Sequence, residues 1–475
     1  MKRWYAAPGL ILLGALLLCV SPQGVLAARY TLADFYRLAL QNAERIKISE
    51  ENLVIAETGK EKAMALLYPK LTGFSTYTRW EDEKYGAGSR IGPYTLPGSL
   101  IQPRETGTWG MRIDESLSLS GRELTALAIS RENIRKSALD LDAAREEYLL
   151  NVAQAYYGVL KAVKNLEIAD ANVERLTTYR DAASKRLKVG EVTKTVLLRA
   201  EAELSGAQSD RMAVVNSLEL ARAQLRRIAA VQEDFEVADA GETETEMEIP
   251  SLETFQETAL SERADLRGLE IQKRIAEDQV RFARGAYWPN LSLTGGYIRT
   301  EQSPETSSLN REGINAGAAL NFPFFEGGLR VAEVKEAKAR ERQSRLLYED
   351  LKKAIAVEVQ SARLDLVTQK SILKFLVDQR AFARENYKAV NRQFEFGLAQ
   401  SIDVIDANTL LVSAEQKVAE AGYTYQMSIL RAKKATGVLL KEILAARQNG
   451  GGHRGGRVHG RTMSFFRLYA WRQKQ

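Results

Sequence analysis

Leu291-Ser292-Leu293-Thr294-Gly295-Gly296-Tyr297-Ile298-Arg299-Thr300 is a β-prone run that begins apolar and ends aromatic and charged. A counterpart lies 220 positions earlier, Leu71-Thr72-Gly73-Phe74-Ser75-Thr76-Tyr77-Thr78-Arg79-Trp80, with Leu71, Tyr77 and Arg79 in step. The match runs without a gap over 31–80 and 251–300: Leu32 meets Leu252, Phe35 meets Phe255, Ala39 meets Ala259, Ala63 meets Ala283 and Pro69 meets Pro289. A Gly- and Pro-containing stretch follows each run, at 81–107 and 301–310, and then a second strand-like run at 108–120 and 314–325. These spell two β-hairpins, about 71–120 and about 291–325. A tilted strand of about ten residues has the length a membrane β-strand needs. Tyr77, Trp80, Trp109 and Tyr297, with Trp288, suit an aromatic girdle at a membrane surface. Alternation alone fits a small soluble hairpin domain equally well.

Outward from the hairpins, proline marks the limits of helix. After the leader it occurs at Pro69, Pro93, Pro97, Pro103, Pro250, Pro289, Pro304 and Pro323, with none between Pro103 and Pro250 and none after Pro323. Proline breaks helix interiors, so those two regions are free to form very long helices. Leu141, Ala144, Tyr148, Val152, Ala155 and Val159 step by threes and fours, as do Leu347, Leu351, Ile355, Val359, Ala362 and Leu366. Such seams belong to coiled coils or packed antiparallel helices. The expected long helices, 122–187 and 329–394, are each nearly 100 Å at ~1.5 Å per residue. Each ends in a glycine turn and continues into a return helix, 193–230 and 401–440. The glycines, Gly190 and Gly397, stand 207 apart, so the first copy carries 13 extra residues, which fit its longer loop after Trp80. The fold class is therefore mainly α with a membrane β contribution, built from two tandem repeats, 28–230 and 251–447. Each reads helix, β-hairpin, long helix, return helix.

The ends carry different signals. Residues 1–27 read as a secretory signal: Lys2 and Arg3, an apolar core from Gly9 to Leu18, and the small-x-small site Val25-Leu26-Ala27. Cys19, the single cysteine, follows Leu18 rather than a small residue, so lipid attachment is not expected. No other segment approaches the ~20 apolar residues of a membrane helix. Both histidines, His453 and His459, lie in the tail, leaving the body without the usual imidazole bases or metal ligands. The net charge of +6 is carried by the ends: six Lys or Arg in 448–475 and two in the signal, without which the body is at −2. A nucleic-acid partner is not expected. The stretch 231–250 has eight acids and no base and reads as a solvated linker, and the basic Gly-rich tail 448–475 reads as unstructured.

The two tips differ in charge. At the first, Val189-Gly190-Glu191 precedes Thr193; at the second, Phe396-Gly397-Leu398 precedes Ser401, a possible helix cap. Only the second is followed by paired acids on one helical face, Asp403 and Asp406. An acid in a first helical turn also favours the positive end of the helix dipole, whatever the function. Four membrane-length strands cannot close a barrel, because an open edge in lipid leaves backbone groups unpaired. If the hairpins lie in a membrane, the chain must oligomerise so that strands pool, with its long helices standing to one side of a bacterial outer membrane.

Together, Tyr68-Pro69-Lys70-Leu71, Trp288-Pro289-Asn290-Leu291, Ala155-Tyr156-Tyr157-Gly158-Val159-Leu160, the two tips and Asp403-Val404-Ile405-Asp406-Ala407 resemble the TolC-like outer membrane efflux protein family, over about 30–440. The resemblance implies a homotrimer, with a 12-stranded barrel continuous with a helical tunnel across the periplasm. It implies a passive exit duct of a tripartite efflux or type I secretion system. Partners would be a periplasmic adaptor, an inner-membrane pump of RND or ABC type and outer membrane lipid, with no cofactor and no catalytic residue. It makes Asp403 and Asp406 a charged pore constriction and the residues 189–191 and 396–398 adaptor-docking surfaces. The family's tip carries a Tyr and an Arg that hold the entrance closed. Here those positions are Phe394 and Ala399, so Phe394 cannot serve as that latch by hydrogen bonding, and Gln400, Arg392 and Glu395 are the substitutes in reach. The competing reading is a secreted or surface-attached structural coiled-coil protein without a pore. No Walker A sequence, histidine pair or cysteine supports an enzyme.

Overall fold

A computed structural model describes residues 28–96, 98–231, 235–238, 249–306 and 308–450. The signal with Cys19, most of the acidic stretch and the tail from 451 lie outside the described residues. In chain order the elements are β1 (Ala28–Tyr30), α1 (Leu32–Asn42), α2 (Glu44–Ala65), β2 (Lys70–Arg79), β3 (Lys84–Tyr85), β4 (Ser89–Ile91), β5 (Tyr94–Leu96), β6 (Leu100–Gln102) and β7 (Glu105–Ser118). There follow α3 (Arg122–Lys188), α4 (Lys194–Ala229), β8 (Phe235–Val237), α5 (Leu252–Glu262), α6 (Ala264–Gly285), β9 (Asn290–Ser303), β10 (Glu312–Asn321), α7 (Leu329–Glu395), α8 (Ser401–Ala435) and α9 (Leu439–Gly450).

The long helices α3 and α7 each have 67 residues, about 100 Å. On the membrane side they carry α2 and α6, and toward the tips they carry α4 and α8, with α3 also packed on α8. The main core forms midway, where Phe35 and Tyr36 of α1 meet Leu149, Val152, Tyr156 and Val159 of α3. Each short first helix of the sequence reading is in fact two. Ala43 and Arg263 adopt extended backbone (ψ 124 and 122) and break α1 from α2 and α5 from α6. At the second break the buried Arg263 guanidinium is held by Asp265, Glu358 and the carbonyl of Ala435, which fixes the bend.

The two hairpins form as expected and then join. Strands β10, β9, β7 and β2 make one antiparallel sheet in that order. Within the long loop after Trp80, β3 pairs β6 and β4 pairs β5. The register sorts the sheet into two chemistries. In the cross-strand rows, Leu71 stands beside Ile113, Gly73 beside Met111 and Ser75 beside Trp109. Ile113 meets Gly295, Met111 meets Tyr297, and Leu117 meets Leu291. Tyr297 meets Ile314 and Leu291 meets Leu320. That face is largely apolar. The rows between place Thr72 beside Arg112 and Gly296, then Asn315, and Asp114 beside Thr294. Side chains alternate along strands, so the second face is mostly polar.

Two boundary readings change. Within the stretch 231–250, read as a solvated linker, β8 pairs in parallel with β1 and Phe235 is buried. Its ring meets Phe35 at 5.3 Å, and burying an aromatic ring outweighs the local acidity there. The return helix read as 401–440 ends at Ala435, a glycine turn intervenes, and α9 then extends through Gly450, into the region 448–475 read as unstructured.

Candidate membrane face and pore entrance

At the end of the sheet away from the helices, Tyr77 and Trp80 lie at the close of β2, Trp109 near the start of β7 and Tyr297 late in β9. The Trp109 and Tyr297 rings meet edge to face at 6.0 Å, and the Arg299 guanidinium stands 5.9 Å from the Trp109 ring. At the opposite end Tyr68, Trp288, Phe324 and Phe325 are all exposed. Aromatic groups therefore rim both ends of an uncovered apolar face, about ten residues apart along β2. Among the described residues nothing pairs the outer edge of β2 or of β10.

At the far end of the long helices, Gly190 (φ 77°) and Gly397 (φ 74°) take the left-handed conformation that ends a helix. Val189, Glu191, Phe396 and Leu398 stand exposed around them. Beyond Gly397 the N-cap of α8 is Gln400, not Ser401. The Asp403 carboxylate accepts from the Gln400 backbone N–H at 2.8 Å, half of a capping box. The Ser401 hydroxyl instead hydrogen-bonds the Tyr179 hydroxyl of α3. Asp403 and Asp406 are both exposed on one face of α8, while Val404, Ile405, Ala407 and Asn408 are buried. Asp406 has no hydrogen-bond or ion-pair partner among the described residues.

The latch residues divide. Phe394 is 5% exposed and belongs to the core of the tip, with Tyr179, Ala183, Val404 and Ile405. Glu395 accepts from Asn391 one turn back in its own helix, at 3.0 Å. Arg392 is exposed, and its carbonyl accepts from Phe396 N–H at 3.2 Å. The residue that grips this tip is one the sequence reading missed, Arg186 of α3. It donates to the carbonyls of Phe394 (2.8 Å) and Glu395 (2.6 Å), and its guanidinium lies 4.7 Å from the Phe394 ring centre. Tyr179, two turns earlier on the same face of α3, packs there too, its ring 5.4 Å from that of Phe394. Burial pushes the Tyr179 phenol up; the Ser401 hydrogen bond and the nearby Arg199 and Arg186 oppose that rise. A second tie lies two turns up, where buried Asn408 accepts from Arg175 (2.9 Å) and donates to Asn172 (2.7 Å). Both ties join α3 to the α7–α8 hairpin. In sequence Arg186 looks like an ordinary basic residue in a last helical turn, where the dipole already favours it, so nothing marked it as a clamp.

A sheet with aromatic rims and one bare apolar face, standing on helices of about 100 Å, defines an envelope protein that carries a membrane sheet and a long helical shaft. The outer membrane efflux protein family model matches residues 35–231 and 256–438, and the chain belongs to that family. Outer membrane protein TolC of Vibrio cholerae is 24% identical over 355 residues, 74% of this chain and 81% of its own. Alkaline protease secretion protein AprF of Pseudomonas aeruginosa is 22% identical over 86% of this chain and 84% of its own. The Campylobacter jejuni CmeC outer membrane channel has the same fold, with a TM-score of 0.75 at 18% identity over 87% of this chain and 88% of that one. The protein is an outer membrane exit duct for efflux or type I secretion, with its helical part in the periplasm. Members of the family are channels.

Proposed function

We propose that three copies of this chain close a 12-stranded barrel and a continuous helical tunnel, and that the duct conducts passively, without catalysis. The observation that carries this is the four-stranded sheet with one apolar face, one polar face and two unpaired edges. In lipid those edges must be paired, and joining β2 of one copy to β10 of the next satisfies every backbone group. The apolar face then meets outer membrane lipid and the polar face lines the pore. A poreless structural coiled coil has no use for that face. In this reading 1–27 is removed on export, 28–230 and 251–447 are the two repeats, and 231–250 connects them.

Asp403 and Asp406 form carboxylate rings at the periplasmic entrance, where six acids attract cations. Arg186, Tyr179 and the Asn408 tie hold the inner α7–α8 hairpin against α3 and so keep the entrance narrow. The exposed tips, Val189-Gly190-Glu191 and Phe396-Gly397-Leu398, are docking surfaces for a periplasmic adaptor, which links the duct to an inner-membrane pump of RND or ABC type. AprF is by its name a protease secretion protein, while the CmeC channel's name carries no cargo, so the cargo class stays open. The test is native mass spectrometry with planar-bilayer conductance on the full-length protein. A trimer with discrete conductance steps is expected, and a monomer that never conducts overturns the reading.

A further inference from the structure

The two repeats part company where the short helix pair meets the long helix. In the second repeat Arg263, 6% exposed, donates to both oxygens of Asp265 (3.1 and 2.7 Å), to Glu358 (2.6 Å) and to the carbonyl of Ala435 (3.2 Å). Lys434 lies 3.4 Å from the other oxygen of Glu358. Two cations and two carboxylates thus close that junction. The helix ends fix the correspondence between repeats, at 220 for α1 and α2 and at 207 for α3 and the start of α4. On that mapping Ala43 stands for Arg263, Arg45 for Asp265, Asn151 for Glu358 and Arg227 for Lys434. The carbonyl of Ile228, counterpart of Ala435, is met instead by the Tyr148 hydroxyl at 2.7 Å. The central cation and both carboxylates are gone, and two arginines stand in the same frame.

What remains is a groove of about 1140 Å³ between α2, α3, α4 and α8. Its charged lining is Arg45, Lys161, Arg227 and Arg431 against Glu44 and Glu420. Lys161 is ion-paired with Glu420. Arg45, Arg227 and Arg431 have no acidic partner within ion-pair distance among the described residues. Tyr148 lines the same groove; burial raises its phenol, Glu44 raises it further, and Arg227 and Arg45 pull it back. The groove opens beside the face of α3 that packs on α1, because Asn151, Ala155 and Gly158 each precede a core position, Val152, Tyr156 and Val159, and so stand about 100° round the helix from it.

We infer that this groove binds small multivalent anions bearing phosphate or carboxylate groups. An anion there replaces the two carboxylates that the second repeat supplies covalently, and guanidinium groups pair with either chemistry through parallel N–H donors. The site lies within one protomer, so it stands apart from the conduction reading.

The experiment is calorimetric titration of the full-length protein in detergent with inorganic pyrophosphate and, separately, with citrate. Saturable binding of at least one probe is expected; pyrophosphate alone assigns a phosphate ligand and citrate alone a carboxylate one. Arg45→Gln with Arg227→Gln, both exposed and unpaired, should weaken it by roughly tenfold or more. Lys335→Gln with Lys352→Gln, equally exposed on α7, should leave it unchanged. Ala43→Arg with Arg45→Asp and Asn151→Glu copies the second junction and should abolish binding. Absence of saturable binding of both probes to the unmodified protein overturns the inference, as does equal binding by the Arg45→Gln, Arg227→Gln protein. Conductance of the same preparations reports separately on the duct.

Discussion

The tips at Gly190 and Gly397 are the same turn with opposite charge. Gly190 N–H donates to Leu187 (3.1 Å) and Glu191 N–H to Arg186 (3.0 Å); Gly397 N–H donates to Phe394 (3.0 Å) and Leu398 N–H to Gln393 (2.8 Å). The N-caps Thr193 and Gln400 share φ −84° and ψ 159°. Yet Val196 occupies the place of Asp403, and Arg199 that of Asp406. The first tip reverses without an acid, so the acids are not what makes the turn. The tips also differ in who holds whom. Arg186 of the first repeat grips carbonyls of the second, and among the described residues its counterpart Gln393 has no such grip on the first. One tip is a support and the other is supported, which is the asymmetry an entrance needs if only one helical hairpin is to move.

Removing the grip is the strongest way to break this comparison. Arg186→Ala deletes two charge-assisted hydrogen bonds to backbone carbonyls and the contact over Phe394. For a side chain 21% exposed, the loss is about 2–3 kcal/mol. At ~1.4 kcal/mol per tenfold, the closed tip loses roughly 30- to 140-fold of its advantage over an opened one. Larger single-channel conductance and faster hydrogen exchange at amides 394–400 are expected, with 187–193 little changed. Equal exchange at both tips means that Arg186 is only a helix-end cation.

The glycine positions come next. Alanine at a left-handed position costs about 1–2 kcal/mol. Gly190→Ala and Gly397→Ala should cost the same within error, because neither glycine has an atom near its missing side chain. Local exchange at each turn measures this, and a clearly larger loss at Gly397 would tie the turn itself to the gate.

Much of this architecture is legible in the sequence. The expected ends of α3 and α7 fall within a residue of those found, because proline placement and a three–four apolar step leave few alternatives. The hairpins are legible because the strands repeat. Their union into one sheet is not, since pairing of β7 with β9 joins residues far apart in the chain and leaves no local mark. The acids at 403 and 406 are visible as a departure from the repeat. Arg186, Tyr179 and Asn408 are not, because each residue type has an ordinary helical reading and acquires its role only across α3 and the α7–α8 hairpin. Ser401 misled for a related reason: a hydroxyl near a helix start is usually a cap, but here Tyr179 engages it.

Asp406 offers a finer test. It faces solvent without a partner, so Asp406→Asn should leave the tip's stability unchanged and alter only the charge of the entrance. Three lost carboxylates near one axis should lower cation-over-anion permeability by roughly three- to tenfold, about 1 kcal/mol at high effective dielectric. Reversal-potential measurements in a salt gradient read this directly. Arg199→Gln, at the matching place in the first tip, should shift selectivity far less if only the second tip lines the constriction. Comparable shifts from both would place the two tips equally close to the axis.

The smallest effect discriminates most sharply between capping and pore function for Asp403. Its carboxylate accepts from the Gln400 N–H, and such a contact at a helix start contributes about 0.5–1 kcal/mol. Val196 holds the same place in the first tip, with its backbone N–H 3.1 Å from the Thr193 carbonyl, just as Asp403 N–H lies 3.1 Å from that of Gln400. The backbone is therefore ready for the same cap. Val196→Asp should stabilise the start of α4 by about 0.5 kcal/mol, seen as slower exchange at 193–197, and should leave ion selectivity where it was. Asp403→Ala should do the reverse at α8 and also reduce selectivity. If the grafted acid changes selectivity as much as the native one, position in the first turn matters less than charge anywhere on the tips, and the asymmetry between the two turns loses its functional meaning.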